Sequence, residues 1–176
     1  MENRQYLYEL VELCRKNDRT AQRIIFDRFK RAMFAICKRY AKSIPEAEDN
    51  LIEGFTKVFT NIETYDGYGS FESWVKKIII NTCTTTYNRE LKHNTVERLD
   101  ELREEEVNVE AATAYSKEDL YAALNALSFR QRFVFNMIVI DGYSYAEVAS
   151  LLGVSVDVVR TVLHRTKLNL RKCLLK

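Results

Sequence analysis

The 176-residue sequence has little of what interrupts helices, with one proline and five glycines. Proline removes a backbone donor and glycine adds conformational freedom, so their scarcity, with few clustered turn signals, favours an all-α chain. No N-terminal apolar run resembles a signal peptide, and no stretch approaches the roughly 20 apolar residues of a membrane span. We therefore expect a cytoplasmic protein without membrane insertion.

Metal ligands and catalytic groups are also scarce. There are two histidines, and the four cysteines lie far apart with no C-x-x-C spacing: Cys14, Cys37, Cys83 and Cys173. A structural zinc site needs about four closely placed ligands, so we expect no metal and reduced thiols. The sequence also has no glycine-rich phosphate loop and no nucleophile with an adjacent base. These absences predict a protein that is not an enzyme and needs no cofactor.

The net charge of +2 says little about partners, but its distribution is uneven. Residues 1–90 have 15 basic and 13 acidic groups, residues 91–118 have 4 and 8, and residues 119–176 have 8 and 4. A basic C-terminal third behind an acidic connector is compatible with a nucleic-acid partner. A merely solvated basic surface is the alternative.

A helix with an acidic start is predicted from Pro45. Proline suits the first helical turn, and Glu46, Glu48 and Asp49 place negative charge near the N-terminus. Apolar residues then recur at helical spacing and predict one stripe: Leu51, Ile52, Phe55, Val58 and Phe59. The opposite face is predicted to be polar: Asn50, Glu53, Thr56 and Lys57. Phe55 and Phe59 are candidates both for the core and for contact with a partner.

An aromatic loop with two glycines, Tyr65–Gly69, separates this helix from a second one that begins at Ser70. The second helix mixes aromatic, amide and basic groups: Trp74, Lys76, Lys77, Asn81 and Arg89. Single-stranded nucleic acid needs stacking surfaces for bases and cations for phosphates, so this chemistry suits it. The alternative for Tyr65 and Phe71 is that they fix the loop to the core, whereas Tyr68, between glycines, is the least suited to a core position.

Two further helices precede this region. The first is predicted over residues 3–16, and the second follows a cap at Asp18 or Thr20. The second has a predicted inward stripe: Ile24, Ile25, Phe29, Ala32, Met33, Ile36 and Tyr40. Residues 91–116 have few large apolar groups and an acidic run, which predicts a flexible acidic linker.

The C-terminal segment predicts a helix-turn-helix. Ser144 with Glu147 forms a capping box, Gly153 ends that helix, and Ser155 caps the next one. One face of the last helix is predicted to be core: Val156, Val159, Leu163 and Leu170. The other is predicted to face outward: Val158, Thr161, Val162, Arg165, Asn169 and Lys172. Valines among polar groups suit a major groove, where they can meet thymine methyls.

These motifs together resemble bacterial sigma factors of the extracytoplasmic-function (ECF) subfamily. AEDNLIEGF-x-KVF and GSFESWVKKIIIN are similar to the second sigma region, and GYSYAEVASLLGVSVDVVRTVLHRTK to the fourth. The sequence departs from the family pattern in both regions. Ile52 replaces Gln, Thr85 replaces Asp, and Asn88 replaces a basic residue in region 2; Asp157 replaces Gly, Val158 replaces Thr, and Val162 replaces Arg in region 4.

The resemblance implies two small helical domains, residues 1–90 and 117–176, joined by linker 91–116. It implies these polymerase-binding residues: Asp49, Glu53, Phe55 and Phe59. It implies these contacts with minus-10 DNA: Tyr65, Tyr68, Ser70, Trp74, Lys76, Lys77, Asn81 and Arg89. It implies these contacts with minus-35 DNA: Ser155, Val158, Arg160, Thr161, Val162, Arg165 and Lys172. The implied partners are promoter DNA, the beta-prime clamp helices and beta flap of core RNA polymerase, and an anti-sigma factor.

Three other functions stay open on the sequence alone. A stand-alone helix-turn-helix regulator would explain the C-terminal motif, but not the segment from Asp49 to Ser70, and no coiled-coil heptad offers a dimer seam. A sigma-mimicking adaptor would need polymerase-like surfaces without DNA binding. An enzyme is the least supported.

Overall fold

The computed structural model describes residues 2–93, 123–124 and 126–174. The described residues form helices and no strand, which confirms the all-α prediction. The α-helices are α1 (Glu2–Arg15), α2 (Arg19–Tyr40), α3 (Ile44–Thr60), α4 (Phe71–His93), α5 (Phe129–Phe135), α6 (Tyr145–Leu152) and α7 (Val156–Leu174). A 3₁₀ turn spans Ile62–Thr64, and a π-helical segment spans Asn136–Ile140. The chain divides into two compact units, Met1–Tyr87 and Asn88–Lys176. Most of the predicted linker lies outside the described residues.

The junction between α1 and α2 is set by local backbone chemistry. Asn17 has a positive φ of 58°, a conformation that asparagine tolerates better than most residues. The Asp18 N–H donates to the Leu13 carbonyl at 3.1 Å, a closure typical of a Schellman helix end. Asp18 then caps α2 by accepting from the Ala21 N–H at 2.8 Å. Of the two caps that the sequence offered, Asp18 is the one used.

The core of the first unit lies between α2, α3 and α4. Most of the predicted α2 stripe is buried, together with Ala21 and Cys37, whereas Ala32 is exposed and its prediction was wrong. The buried α4 residues are Phe71, Val75, Ile79, Ile80, Thr82, Cys83, Thr84 and Tyr87. Cys14, Cys37 and Cys83 are buried free thiols. Burial raises the pKa of Cys14 to about 11, so its thiol stays protonated at neutral pH.

Helix α3 begins one residue before Pro45, and Ser43 caps it by accepting from the Glu46 N–H at 3.3 Å. Leu51, Phe55 and Val58 of the predicted stripe are buried, but the rest of the buried face differs from the prediction. Ile52 is 59% exposed, and Asn50, predicted to face solvent, is 1% exposed. The Thr86 hydroxyl donates to Asn50 Oδ1 at 2.7 Å, which satisfies that oxygen. Helix α3 therefore packs through Asn50 and Gly54, and Ile52 is turned outward.

Gly54 allows α3 to pack directly against α4. A Cβ at this position would overlap Cδ1 of the fully buried Ile79. We expect Gly54→Leu to lower the free energy of unfolding by about 1–3 kcal/mol, because the packed core has no room for the added atoms. Urea unfolding measures this, with Thr56→Leu on the exposed side of α3 as the control, expected within about 0.5 kcal/mol of wild type. Equal stability of the two variants would contradict this close packing.

The second unit is organised around the predicted helix-turn-helix. The Ser144–Glu147 capping box is present, since Ser144 Oγ accepts from the Glu147 N–H at 3.2 Å and Glu147 Oε2 accepts from the Ser144 N–H at 2.8 Å. Gly153 has a φ of 66°, as the turn requires. Ser155 caps α7 by accepting from the Val158 N–H at 3.3 Å. These three capping predictions are confirmed.

The core of the second unit contains residues that the sequence pattern did not select. Val159, Leu163 and Leu170 are buried as predicted, but Val156 is only half-buried. Thr166 is fully buried, and its hydroxyl donates to the Val162 carbonyl at 2.7 Å. The π-helical segment, also unpredicted, places Asn136 and Met137 in the core. A hydroxyl bonded to its own helix is satisfied, which is why threonine can replace an apolar residue there.

Candidate polymerase and nucleic-acid interfaces

The first candidate surface is the exposed side of α3. Asp49 is exposed, and Glu53 is half-buried with its carboxylate 2.7 Å from the Lys57 ammonium. Phe55 is 2% exposed and packs edge-on against Phe26 at 4.8 Å between ring centroids. Of the two roles left open for Phe55, the structure places it in the core. Phe59 is half-buried, with its ring 6.0 Å from that of Phe55.

Sequence reasoning missed that Ile52 belongs to this exposed side. Ile44, Glu48, Ile52 and Thr56 recur every four residues and are all exposed. Side chains at this spacing form a continuous row along a helix. Asp49 and Glu53 follow Glu48 and Ile52 directly, so the surface combines carboxylates with aliphatic groups. A protein partner with basic groups around an apolar contact fits such a surface.

The second candidate surface is the loop before α4, and Tyr65 is its anchor. Tyr65 is 8% exposed, and its ring lies 5.1 Å from that of Phe71 and 5.5 Å from that of Trp74. Its hydroxyl donates to the Gly69 carbonyl at 3.2 Å. Of the two roles open to Tyr65 and Phe71, the structure shows the one that fixes the loop to the core.

Tyr68 lies at the tip of the same loop and is 85% exposed. Its N–H donates to Asp66 Oδ1 at 2.9 Å, so the backbone of the tip is held although the ring is free to meet a ligand. Gly67 and Gly69 have φ values of 80° and 77°, a backbone region that other residues rarely adopt. The backbone conformation at the two glycines therefore directs the Tyr68 side chain outward.

Helix α4 presents part of the predicted set on one face. Trp74, Lys77 and Asn81 recur at i, i+3 and i+7 and so share a side of the helix. Lys77 is exposed, whereas Trp74 and Asn81 are half-buried. Asn81 Oδ1 is a buried atom without a hydrogen-bond partner among the described residues.

The remaining members of the predicted set lie elsewhere. Lys76 is half-buried and lies about 200° around the helix from Trp74, so it is not on the shared face. Ser70 is exposed and precedes α4, where its carbonyl accepts from the Trp74 N–H at 3.1 Å. Arg89 is exposed near the C-terminal end of α4.

The third candidate surface is helix α7. Most of the predicted residues share one face: Val158, Thr161, Val162, Arg165 and Lys172. Thr161 is exposed, and its hydroxyl donates to the Asp157 carbonyl at 2.8 Å. Val158 and Val162 are half-buried, so the valines are less exposed than the sequence indicated.

Arg160 and Ser155 differ from the rest of that set. Arg160 is exposed but lies about 200° from Val158, where its guanidinium is 3.2 Å from the Asp157 carboxylate. Ser155 is exposed at the N-terminal cap of α7. Helix N-termini favour anions, so this end of α7 is suited to meet a phosphate once a second contact holds the helix in place.

Comparison with known families decides between the interpretations that the sequence left open. Residues 25–92 match the model for Sigma-70 region 2, and residues 117–170 match that for Sigma-70 region 4. The chain belongs to the sigma-70 family. The two matched segments occur in family order and together span well over half of this sigma factor, which confirms the resemblance found in its motifs.

Individual relatives place this sigma factor in the ECF group. It is 28% identical over 180 residues to the ECF RNA polymerase sigma factor SigW of Bacillus subtilis, covering 92% of this chain and 93% of the relative. It is 30% identical over 149 residues to the ECF sigma factor SigE of Mycolicibacterium smegmatis, covering 82% of this chain and 58% of the relative.

A solved structure supports the fold. The sigma factor RpoE of Bartonella quintana, crystallised in complex with the anti-sigma factor NepR, matches with a TM-score of 0.52 and 20% identity. The match covers 87% of this chain and 96% of that one. Within the described residues, no helix of this sigma factor combines the length and apolar character needed to cross a bilayer.

Proposed function

We propose that this ECF sigma factor binds core RNA polymerase and directs promoter-specific initiation of transcription. The observation that supports this most is the presence of region 2 and region 4 matches in order on one chain. Each matched region also has a surface whose residues suit binding to polymerase or to DNA. The N-terminal region has an acidic helix side and an aromatic loop, and the C-terminal region has a capped helix-turn-helix.

The work is divided between the two regions. Residues 1–90 form the domain that holds polymerase and opens the minus-10 element, residues 91–116 are the linker, and residues 117–176 form the domain that reads the minus-35 element. The exposed side of α3 docks on the beta-prime clamp helices, and the C-terminal domain meets the beta flap. Tyr68 and the Trp74–Asn81 face bind the opened strand, and the outer face of α7 enters the major groove.

The chain acts by binding and not by catalysis. It needs no cofactor, works in the cytoplasm, and leaves RNA synthesis to the polymerase. An anti-sigma factor holds it silent until a signal releases it. This last proposal is supported by the Bartonella relative, which was crystallised with such an inhibitor.

The direct test is transcription of fragmented genomic DNA by core polymerase from the source organism, with and without the chain, followed by sequencing of RNA 5′ ends. We expect a set of start sites that depend on the chain and share minus-10 and minus-35 elements. A stand-alone helix-turn-helix regulator would yield no such starts, because core polymerase would still lack a sigma factor. That alternative is not favoured, since it assigns no role to region 2.

The charge on the outer face of α7 gives a second test. We expect Arg165→Ala to weaken binding to all promoters alike and to lower the slope of log K against log salt by about one, because one phosphate contact is lost. Lys167→Ala is the matched control, since Lys167 is exposed about 200° around the helix and carries the same charge. Fluorescence anisotropy of the holoenzyme on duplex promoter DNA at several salt concentrations measures both slopes. Equal slopes for the two variants would show that this face of α7 does not approach the phosphates.

A further inference from the structure

Arg15 links the N-terminal helix to the aromatic loop, 50 residues away in the chain. It is the last residue of α1, and the closure at Leu13, Asn17 and Asp18 fixes the backbone there. Its side chain is 27% exposed. The guanidinium donates through Nη2 to the carbonyl oxygen of Tyr65. A side chain from outside the loop therefore holds the loop at its first residue.

Glu12 orients this guanidinium through a hydrogen bond, and Glu63 adds only a longer ionic contact. Nη1 donates to Glu12 Oε1 at 2.9 Å, whereas Nε lies 3.8 Å from Glu63 Oε2 and has no hydrogen-bond partner among the described residues. Glu12 is one turn back on α1, whereas Glu63 belongs to the 3₁₀ turn that leads into the loop. Hydrogen bonds from a charged donor are about twice as strong as neutral ones, and the planar guanidinium gives them direction. The Glu12 hydrogen bond thus holds the Arg15 side chain where it can donate to Tyr65.

Tyr65 connects the Arg15 contact at the start of the loop to Gly69 at its end. Its carbonyl accepts from Arg15, its ring is packed on Phe71 and Trp74, and its hydroxyl donates to the carbonyl of Gly69. The loop is therefore tied at both ends through one residue. Residues 66–69 are exposed between these two attachments, and Tyr68 is the aromatic group among them. A ring held this way loses less conformational freedom when a base stacks on it than a ring on a loose loop.

We propose that Arg15 is a positioning residue for strand capture: it sets the loop so that Tyr68 meets the exposed minus-10 base. This inference rests on the proposed function of the loop. Arg15 itself touches no DNA, and its effect passes through the Tyr65 carbonyl. Helix α1 therefore contributes, through Arg15, to binding of the opened strand.

The test compares variants in holoenzyme assembled from core polymerase. The probe is a fluorescent single-stranded oligonucleotide carrying the non-template minus-10 element of a promoter identified by the genomic transcription assay. Arg15→Met keeps an unbranched apolar stem and removes the donors. Arg23→Met is the matched control, because Arg23 is an exposed residue of α2 whose loss changes the net charge equally. Arg15→Lys keeps a cation that can donate to the Tyr65 carbonyl.

We expect Arg15→Met to weaken oligonucleotide binding about tenfold, with an unchanged salt slope and unchanged affinity for core polymerase. Arg15→Lys should restore part of the affinity, and Arg23→Met should bind like wild type. In a Tyr68→Ala background, Arg15→Met should have no further effect, because the group that it positions is gone. Full additivity with Tyr68→Ala, or a salt slope lowered by about one, would instead indicate an independent or direct contact and overturn the proposal.

Two further comparisons keep the proposal testable. If Arg15→Met does not fold, Glu12→Ala removes the carboxylate that orients Arg15 and should weaken oligonucleotide binding in the same direction, whereas wild-type affinity would contradict the inference. Failure of the wild-type holoenzyme to bind the oligonucleotide would reject the function proposed for the loop. Normal wild-type binding with an unaffected Arg15→Met variant would reject only the role of Arg15.

Discussion

Replacing Asp49 and Glu53 together with alanine is expected to abolish association with core RNA polymerase without disturbing the fold. Asp49 is exposed, and the Glu53–Lys57 pair is an i, i+4 contact at the helix surface, worth about 0.3–0.5 kcal/mol. Removing one partner of a charge pair desolvated in an interface costs about 2–5 kcal/mol. Two such losses total about 4–10 kcal/mol, which weakens binding by about three orders of magnitude or more.

Co-elution with core polymerase, together with thermal unfolding, measures this effect. The matched control is a double replacement of Glu9 and Asp27 with alanine, because both are exposed helical carboxylates with a local partner. It removes the same charge and should leave polymerase association intact. If the Asp49 and Glu53 variant still co-eluted with polymerase, the docking surface would lie elsewhere.

The second large effect is expected in strand opening. Tyr68→Ala should impair open-complex formation while leaving duplex and polymerase binding nearly intact. Opening costs about 1.4 kcal/mol per base-pair step, and one base stacked on an aromatic ring returns about 1–3 kcal/mol. The ring is 85% exposed, so its removal takes nothing from the core. Asn81→Ala should also impair open-complex formation, because Asn81 lies on the α4 face that it shares with Trp74 and Lys77.

Permanganate reactivity of minus-10 thymines on a linear promoter measures opening, and a template already mismatched at minus-10 supplies the opening in advance. Rescue of the variants on the mismatched template supports a melting role, whereas equal defects on both templates would count against it. Tyr8→Ala is the control, since Tyr8 is an exposed tyrosine of α1 outside the loop. It should open the promoter like wild type.

Predictions that depended on neighbours along the chain were the ones that succeeded. A cap needs a side-chain oxygen and an N–H two or three residues later, so Ser144 and Ser155 could be assigned from their immediate context, and the α2 cap could be narrowed to Asp18 or Thr20. The left-handed turn at Gly153 is equally local. The family motifs also predicted which helices and which loop carry the three candidate surfaces.

Predictions that depended on which helix packs against which were less successful. The apolar stripe of α3 was chosen by hydrophobicity, yet the buried face runs through Asn50 and Gly54 and leaves Ile52 exposed. A glycine allows close approach, and an amide whose oxygen accepts a hydrogen bond can be buried, and neither property appears in an apolar pattern. The sequence also could not decide the role of Tyr65, because an aromatic ring can stack equally well in the core or on DNA.

The sequence by itself determined the helical class, the helix-turn-helix and the membership of the sigma-70 family, because these follow from spacings of a few residues. The sequence also predicted that Tyr68 lies outside the core, whereas only the tertiary structure decided that Tyr65 anchors the loop and that Arg15 holds it. The contact between Arg15 and Tyr65 joins a side chain to a backbone carbonyl 50 residues away. Every residue has such a carbonyl, so no pattern of residue types can indicate which one is bound.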